Sequence, residues 1–168
     1  MRPRSLPFLL VVAACNGGLE PTNALTTCPG GLVGICGTVT FRGRVPDSTA
    51  GVYIVAYSTF PQAADDLLNF KPFPPPSLPL PGDTTTFYSV ALPNGRYEWI
   101  VAAWVKQGAL SPASADSLIY EAGFYRDGGD TTSHGTGIVV VNGTGTDSIN
   151  IIVDFDTMHP ISYYFPTP

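Results

Sequence analysis

Charge is scarce in this sequence. Only 12 % of its 168 residues are Asp, Glu, Lys or Arg, and 13 acidic residues face 8 basic ones. So thin a supply of charge disfavours long solvated helices, and the acidic excess excludes a nucleic-acid partner, which needs a basic face to neutralise phosphates. Histidine occurs only at His134 and His159, neither at ligand or nucleophile spacing from a second reactive side chain. No serine sits in a Gly-x-Ser-x-Gly elbow. The sequence therefore shows no catalytic constellation, and no cofactor is expected. It also lacks the run of about 20 apolar residues that a membrane-spanning helix requires.

Glycine and proline, by contrast, are plentiful, at 18 and 17 residues. That balance favours many short strands closed by turns. Residues 37–45 (GTVTFRGRV) alternate, with Val39 and Phe41 on one face and Thr38, Thr40, Arg42 and Arg44 on the other, which predicts a half-buried strand. Residues 52–58 (VYIVAYS) are apolar on both faces and predict an interior strand. Further strands are predicted at 86–92, 97–105, 118–125, 138–141 and 148–155, the last with Ile149, Ile151, Val153 and Phe155 on one face and Ser148, Asn150, Ile152 and Asp154 on the other. Asn94-Gly95 between two of these runs reads as a hairpin turn. The fold class is all-β: a single antiparallel β-sandwich of about seven strands with a proline-rich inserted loop.

The insertion covers residues 59–84. A short helical segment is predicted around Ala63 to Leu68, and six prolines between positions 72 and 81 exclude a helix or a ladder-bonded strand. Polyproline backbone is already stiff and loses little entropy on docking. Phe70, Phe73, Leu78 and Leu80 are therefore candidates for a partner-facing surface, a self-packed lid being the alternative. Trp99 and Trp104 lie an odd number of residues apart and point to opposite faces. Trp99 is expected in the core, leaving Trp104 on the outward face, where it could stack on a sugar or a partner side chain but where covering by the long loop is the more ordinary outcome.

The N-terminus has the order of an export signal: Arg2 and Arg4, an apolar segment to Val12, then Ala13-Ala14. Val12-Ala13-Ala14-Cys15 resembles the lipobox of bacterial lipoproteins, whose cysteine takes a diacylglycerol and becomes the first residue of the mature chain. The resemblance implies a signal peptide at 1–14, lipidation of Cys15, a flexible tether at 15–27 and a lipid-anchored place in the bacterial cell envelope. Asn16, rather than Asp, favours the outer membrane over the inner. An ordinary secretory signal that merely contains a cysteine is the alternative. Cleavage would remove Arg2 and Arg4, and with those two charges move the formal net charge from −5 to −7. Lipidation of Cys15 would leave Cys28 and Cys36 as a pair, either a disulfide in an oxidising compartment or two buried thiols.

A second resemblance covers roughly residues 36–106. Gly37-x-Val39-x-Phe41-x-Gly43, the strand Val52-Tyr53-Ile54-Val55-Ala56-Tyr57, and Tyr88-x-Val90-x-Leu92-Pro93-x-Gly95-x-Tyr97 resemble the carboxypeptidase regulatory-like domains. The family implies a transthyretin-like sandwich in which the aromatic after the Pro-x-Gly turn returns to the core. The family's Thr-Asp-x-x-Gly element is absent, as is the C-terminal Tyr-Arg-Gly-Ser of the hydroxyisourate hydrolases that share the fold. Fold carries over and function does not.

Several functional readings follow. The leading one is a non-catalytic, lipid-anchored binding module for an envelope protein or glycan, or an accessory subunit of a membrane complex. The others are an envelope hydrolase or metal-dependent enzyme, and a structural spacer. For the second, His134 would act as a base with Asp127 or Asp130. Asp127, Asp130, Asp154 and Asp156 are weak calcium candidates without EF-hand spacing, solvated turn carboxylates being the plainer reading. An aromatic tail, residues 157–168, closes the domain that begins at Cys28.

Overall fold

The computed structural model describes residues 27–80, 85–111, 113–128 and 135–165. In chain order these form β1 (Gly34–Arg42), β2 (Thr49–Tyr57), a 3-10 turn (Ala64–Leu68), β3 (Thr85–Ala91), β4 (Gly95–Tyr97), β5 (Trp99–Lys106) and α1 (Ala115–Leu118). There follow β6 (Ile119–Phe124), β7 (Val139–Val141), β8 (Gly145–Thr146), β9 (Ile151–Asp154), β10 (His159–Pro160) and a second 3-10 turn (Ile161–Tyr164). The protein is mostly β. Ten strands stand among the described residues where the sequence predicts about seven. The surplus is β8 and β10, two residues each, and a bend at Glu98 that separates β4 from β5.

Two four-stranded sheets carry the fold. In one, β1 is antiparallel to β3 and parallel to β8 and β9, which share its other edge. The other runs β10-β6-β5-β2 and is antiparallel throughout, while β4 and β7 make a separate pair. The gap between β8 and β9 leaves backbone groups that side chains satisfy. The Tyr88 hydroxyl donates to the Ile149 carbonyl at 2.6 Å, and Asn150 Oδ1 accepts from the Thr38 amide and hydroxyl, each at 2.9 Å.

The facing sides of the sheets share one apolar cluster. Val39, Phe41, Ile149, Ile151 and Val153 meet Val52, Ile54, Ile100 and Ala102 there, as alternation predicts for β1 and β9. The sheets approach closely at Gly123 of β6, where a Cβ would run into the carbonyl oxygen of Ile152; only glycine fits. The Asn94-Gly95 turn does not close a hairpin: β3 pairs with β1, while β4 pairs with β7. It instead carries the chain from one sheet to the other. Tyr97 returns into the inter-sheet core and donates its hydroxyl to the Pro93 carbonyl at 2.8 Å, a corner that fixes the crossover.

The β5 sheet is buried on both faces. Its outer side holds Val55, Tyr57, Trp99, Val101, Ala103 and Phe124, covered by Leu67, Ala115, Ile161, Phe60, Phe70 and Tyr164 from irregular segments. Trp99 is fully buried at the centre, with ring centroids 4.8 Å from Phe60 and 5.6 Å from both Tyr57 and Tyr164. Its indole N–H finds no acceptor among the described residues.

Candidate binding site

Cys28 and Cys36 are joined as a disulfide, with Cα atoms 5.3 Å apart, which ties the start of the domain to β1. Cys15 lies outside the described residues, as do Asp130 and His134, so two of the three members of the His134, Asp127 and Asp130 set are not placed. Asp127 is exposed. Asp154, at the end of β9, accepts the Asp156 amide at 3.0 Å through Oδ1, an ordinary turn bond. Among the described residues no three His, Cys, Asp or Glu side chains gather as a metal site. No helix among them is long and apolar enough to cross a membrane.

Two candidates for the partner-facing surface are displaced by the structure. Trp104, expected outward, is 4 % exposed between the sheets, its indole donating to Thr49 Oγ1 at 2.7 Å and its ring edge-on to Tyr120. Alternation did place it opposite Trp99. Both faces of β5 are covered, however, so opposite does not mean exposed. Leu78 is also buried, at 8 %, and plugs the inter-sheet core from the side.

The remaining loop residues form a surface. The proline-rich segment lies along the free edge of β2, where Ala56 and Lys71 exchange amide and carbonyl bonds at 2.8 Å and the Leu78 amide donates to Val52. An edge strand is thereby blunted by a segment that has few N–H donors of its own. Between these attachment points the loop arches over the outer face of the sheet and roofs a cavity of about 380 Å³. Its walls are Val55, Leu67, Ala103 and Ile119, and its roof is Phe70, Phe73 and Pro74. Phe70 is half-buried against Tyr57, with ring centroids 6.5 Å apart. Phe73, by contrast, is 79 % exposed at the rim, near Leu110 at 47 %; Leu80 is 41 % exposed further along the loop.

Polar capacity in this pocket is slight. The Tyr57 hydroxyl is spent on the Leu67 carbonyl at 2.8 Å, and burial pushes its pKa well up, so it stays neutral. Tyr53 supplies the other hydroxyl on the walls. The pocket can therefore desolvate an apolar group but offers little to a polar one. Sequence reasoning found Phe70 and Phe73 and missed Leu67, Ala103, Leu110 and Ile119. The signal for the missed floor was that residues 52–58 are apolar on both faces, which demands a cover on the second face.

No family model matches the chain, and neither a curated protein nor a solved structure matches it.

Proposed function

We propose that this chain is a non-catalytic binding module of the bacterial cell envelope, held beside a membrane by acyl chains on Cys15, the outer membrane being favoured. Its body is a transthyretin-like β-sandwich of the carboxypeptidase regulatory-like kind, and its working surface is the proline-rich loop. In this reading it docks an apolar side chain of an envelope protein, as a free-standing binder or as an accessory subunit.

The observation that carries the reading is Phe73, 79 % exposed over a cavity of about 380 Å³ with apolar walls. A large aromatic held in water by prolines on both sides loses little further freedom on docking. Burying it against a partner contributes roughly 1.5 to 3 kcal/mol, or about ten- to a hundredfold in affinity. Sparse hydrogen-bonding groups on the walls favour a protein over a glycan as occupant. Support for the body of the proposal comes from the two facing sheets with their shared core and from the inward return of Tyr97. Support for the anchor is the sequence at Val12-Ala13-Ala14-Cys15.

The test recovers partners from detergent-solubilised envelope with the acylated chain and with Phe73→Ser. Deleting the loop would be a poorer test, because Leu78 belongs to the inter-sheet core and loop backbone closes the β2 edge. A partner recovered by the parent chain and lost with Phe73→Ser is expected; equal recovery by both sinks the loop reading. Mass spectrometry of the mature N-terminus checks the anchor separately, with a diacylated Cys15 expected.

A further inference from the structure

On another side of the β10-β6-β5-β2 sheet lies a cleft of different chemistry. It opens where β6, β9 and the C-terminal segment converge, with a volume of about 390 Å³. Glu121 is among its lining residues and only 5 % exposed, one of the few polar side chains buried in the protein. Its Oε2 accepts the Tyr164 hydroxyl at 2.7 Å and lies 3.7 Å from His159 Nδ1. Burial raises the carboxyl pKa, against the opposing pull of the Tyr164 hydrogen bond, His159 and Arg126. A carboxyl group has acceptor capacity beyond one hydroxyl, and His159 Nδ1 is buried without a hydrogen bond among the described residues.

The other walls add donors and flat faces. The Arg126 guanidinium sits 3.9 Å above the Phe124 ring, which occupies its face and leaves the in-plane N–H groups as donors. Asn150 has its Oδ1 committed to Thr38, so its amide nitrogen is the half with hydrogen-bonding capacity to spare. Thr157 contributes a hydroxyl, and Tyr164 and His159 contribute rings, the latter stacked on Tyr163 at 4.4 Å. Buried acceptor, cationic donor, amide donor and aromatic faces thus surround one space.

We propose that this cleft is a saccharide-binding site. Its chemistry excludes the simpler ligands. An anion would meet the buried Glu121 carboxyl. A bare cation would meet Arg126 and His159, and among the described residues that line the cleft no second acidic group stands by to complete a shell. A hydrocarbon would strand the polar groups without partners. A sugar ring instead presents neighbouring hydroxyls that each donate and accept, and a C–H face that lies on aromatic rings. The volume accommodates a small ligand of one or two rings. The site is independent of the apolar pocket, which shares only the sheet.

The test titrates the full chain with cellobiose, maltose and N,N′-diacetylchitobiose, following backbone amide shifts, with a tripeptide as the competing chemistry. Saturable shifts at residues 121–126 and 150–157 with at least one sugar are expected. Methyl glycosides of the same sugars distinguish a free sugar from a ring within a longer glycan: loss of binding assigns the former and retention the latter. Arg126→Gln, at an exposed position, is expected to weaken binding about tenfold, and Thr157→Val by less, while Phe73→Ala leaves it unchanged. No shift with any sugar, a saturable response to the tripeptide alone, or sugar affinity indifferent to both cleft substitutions overturns the proposal.

Discussion

The two faces of the β5 sheet are buried to the same degree by different means. The inner face is covered by a second sheet, strand against strand, and its residues are mostly aliphatic. The outer face is covered by two 3-10 turns, one turn of α-helix and the proline-rich loop, and it is rich in aromatic rings. Regular strands interdigitate small branched side chains along a pleat. Irregular segments lack that periodicity, and large rings such as Trp99, Phe60 and Tyr164 fill the uneven space between them. The inner face thus supplies the scaffold, and the outer face, with its roofed pocket, carries the surface to which we assign binding.

The largest effect is expected from removing the centre of the outer layer. Trp99→Ala should cost about 3 to 5 kcal/mol, read as a lowered denaturation midpoint, even though it removes an indole N–H that has no acceptor among the described residues. A loss under about 1 kcal/mol would mean that the outer layer is a loose cover rather than a second core. Next comes the disulfide, which joins residues eight apart. Replacing Cys28 and Cys36 together by Ala should cost about 2 to 3 kcal/mol by chain entropy, and chemical denaturation would measure it.

A smaller effect separates the faces by pH. Burial raises the Glu121 carboxyl above its unfolded value of 4.5. Ionising it therefore costs folded-state stability: the cost is absent below the unfolded value, grows as pH rises through the folded value, and is constant above that. Glu121→Gln should remove this slope, leaving a variant whose stability relative to the parent improves from acid to neutral pH. Thermal midpoints across that range check it, and parallel curves for the two proteins would contradict it. The smallest effect is on hydrogen exchange. Amides that the loop and tail engage, those of Lys71, Leu78 and Phe165, should open before those of β1 and β5.

This contrast also explains what could be read in advance. Val39, Phe41, Ile149, Ile151, Val153 and Phe155 all lie in the inter-sheet core, where a period of two placed them. The segment around Ala63 to Leu68 did turn helical, as a 3-10 turn. Trp104 is covered between the sheets and not by the long loop, because alternation gives the side of a strand and not what covers it. Its cover comes from strands far along the chain. At Asn94-Gly95 the local signal is the same whether the flanking strands then pair as a hairpin or part, as they do here. Glu121 gave no sign of burial, since its hydroxyl partner Tyr164 stands 43 residues away. Leu67, Ala115 and Ile161 cover the outer face from segments too short to show a period.

The most direct test of the binding role places a photo-crosslinking amino acid at Phe73 and, as a control, at Val140, which is 58 % exposed and lines no part of the apolar pocket. Illumination in intact cells should yield a discrete protein adduct from position 73 and none from position 140. No adduct from position 73, or the same adducts from both positions, would contradict the assignment of the proline-rich loop as the working surface.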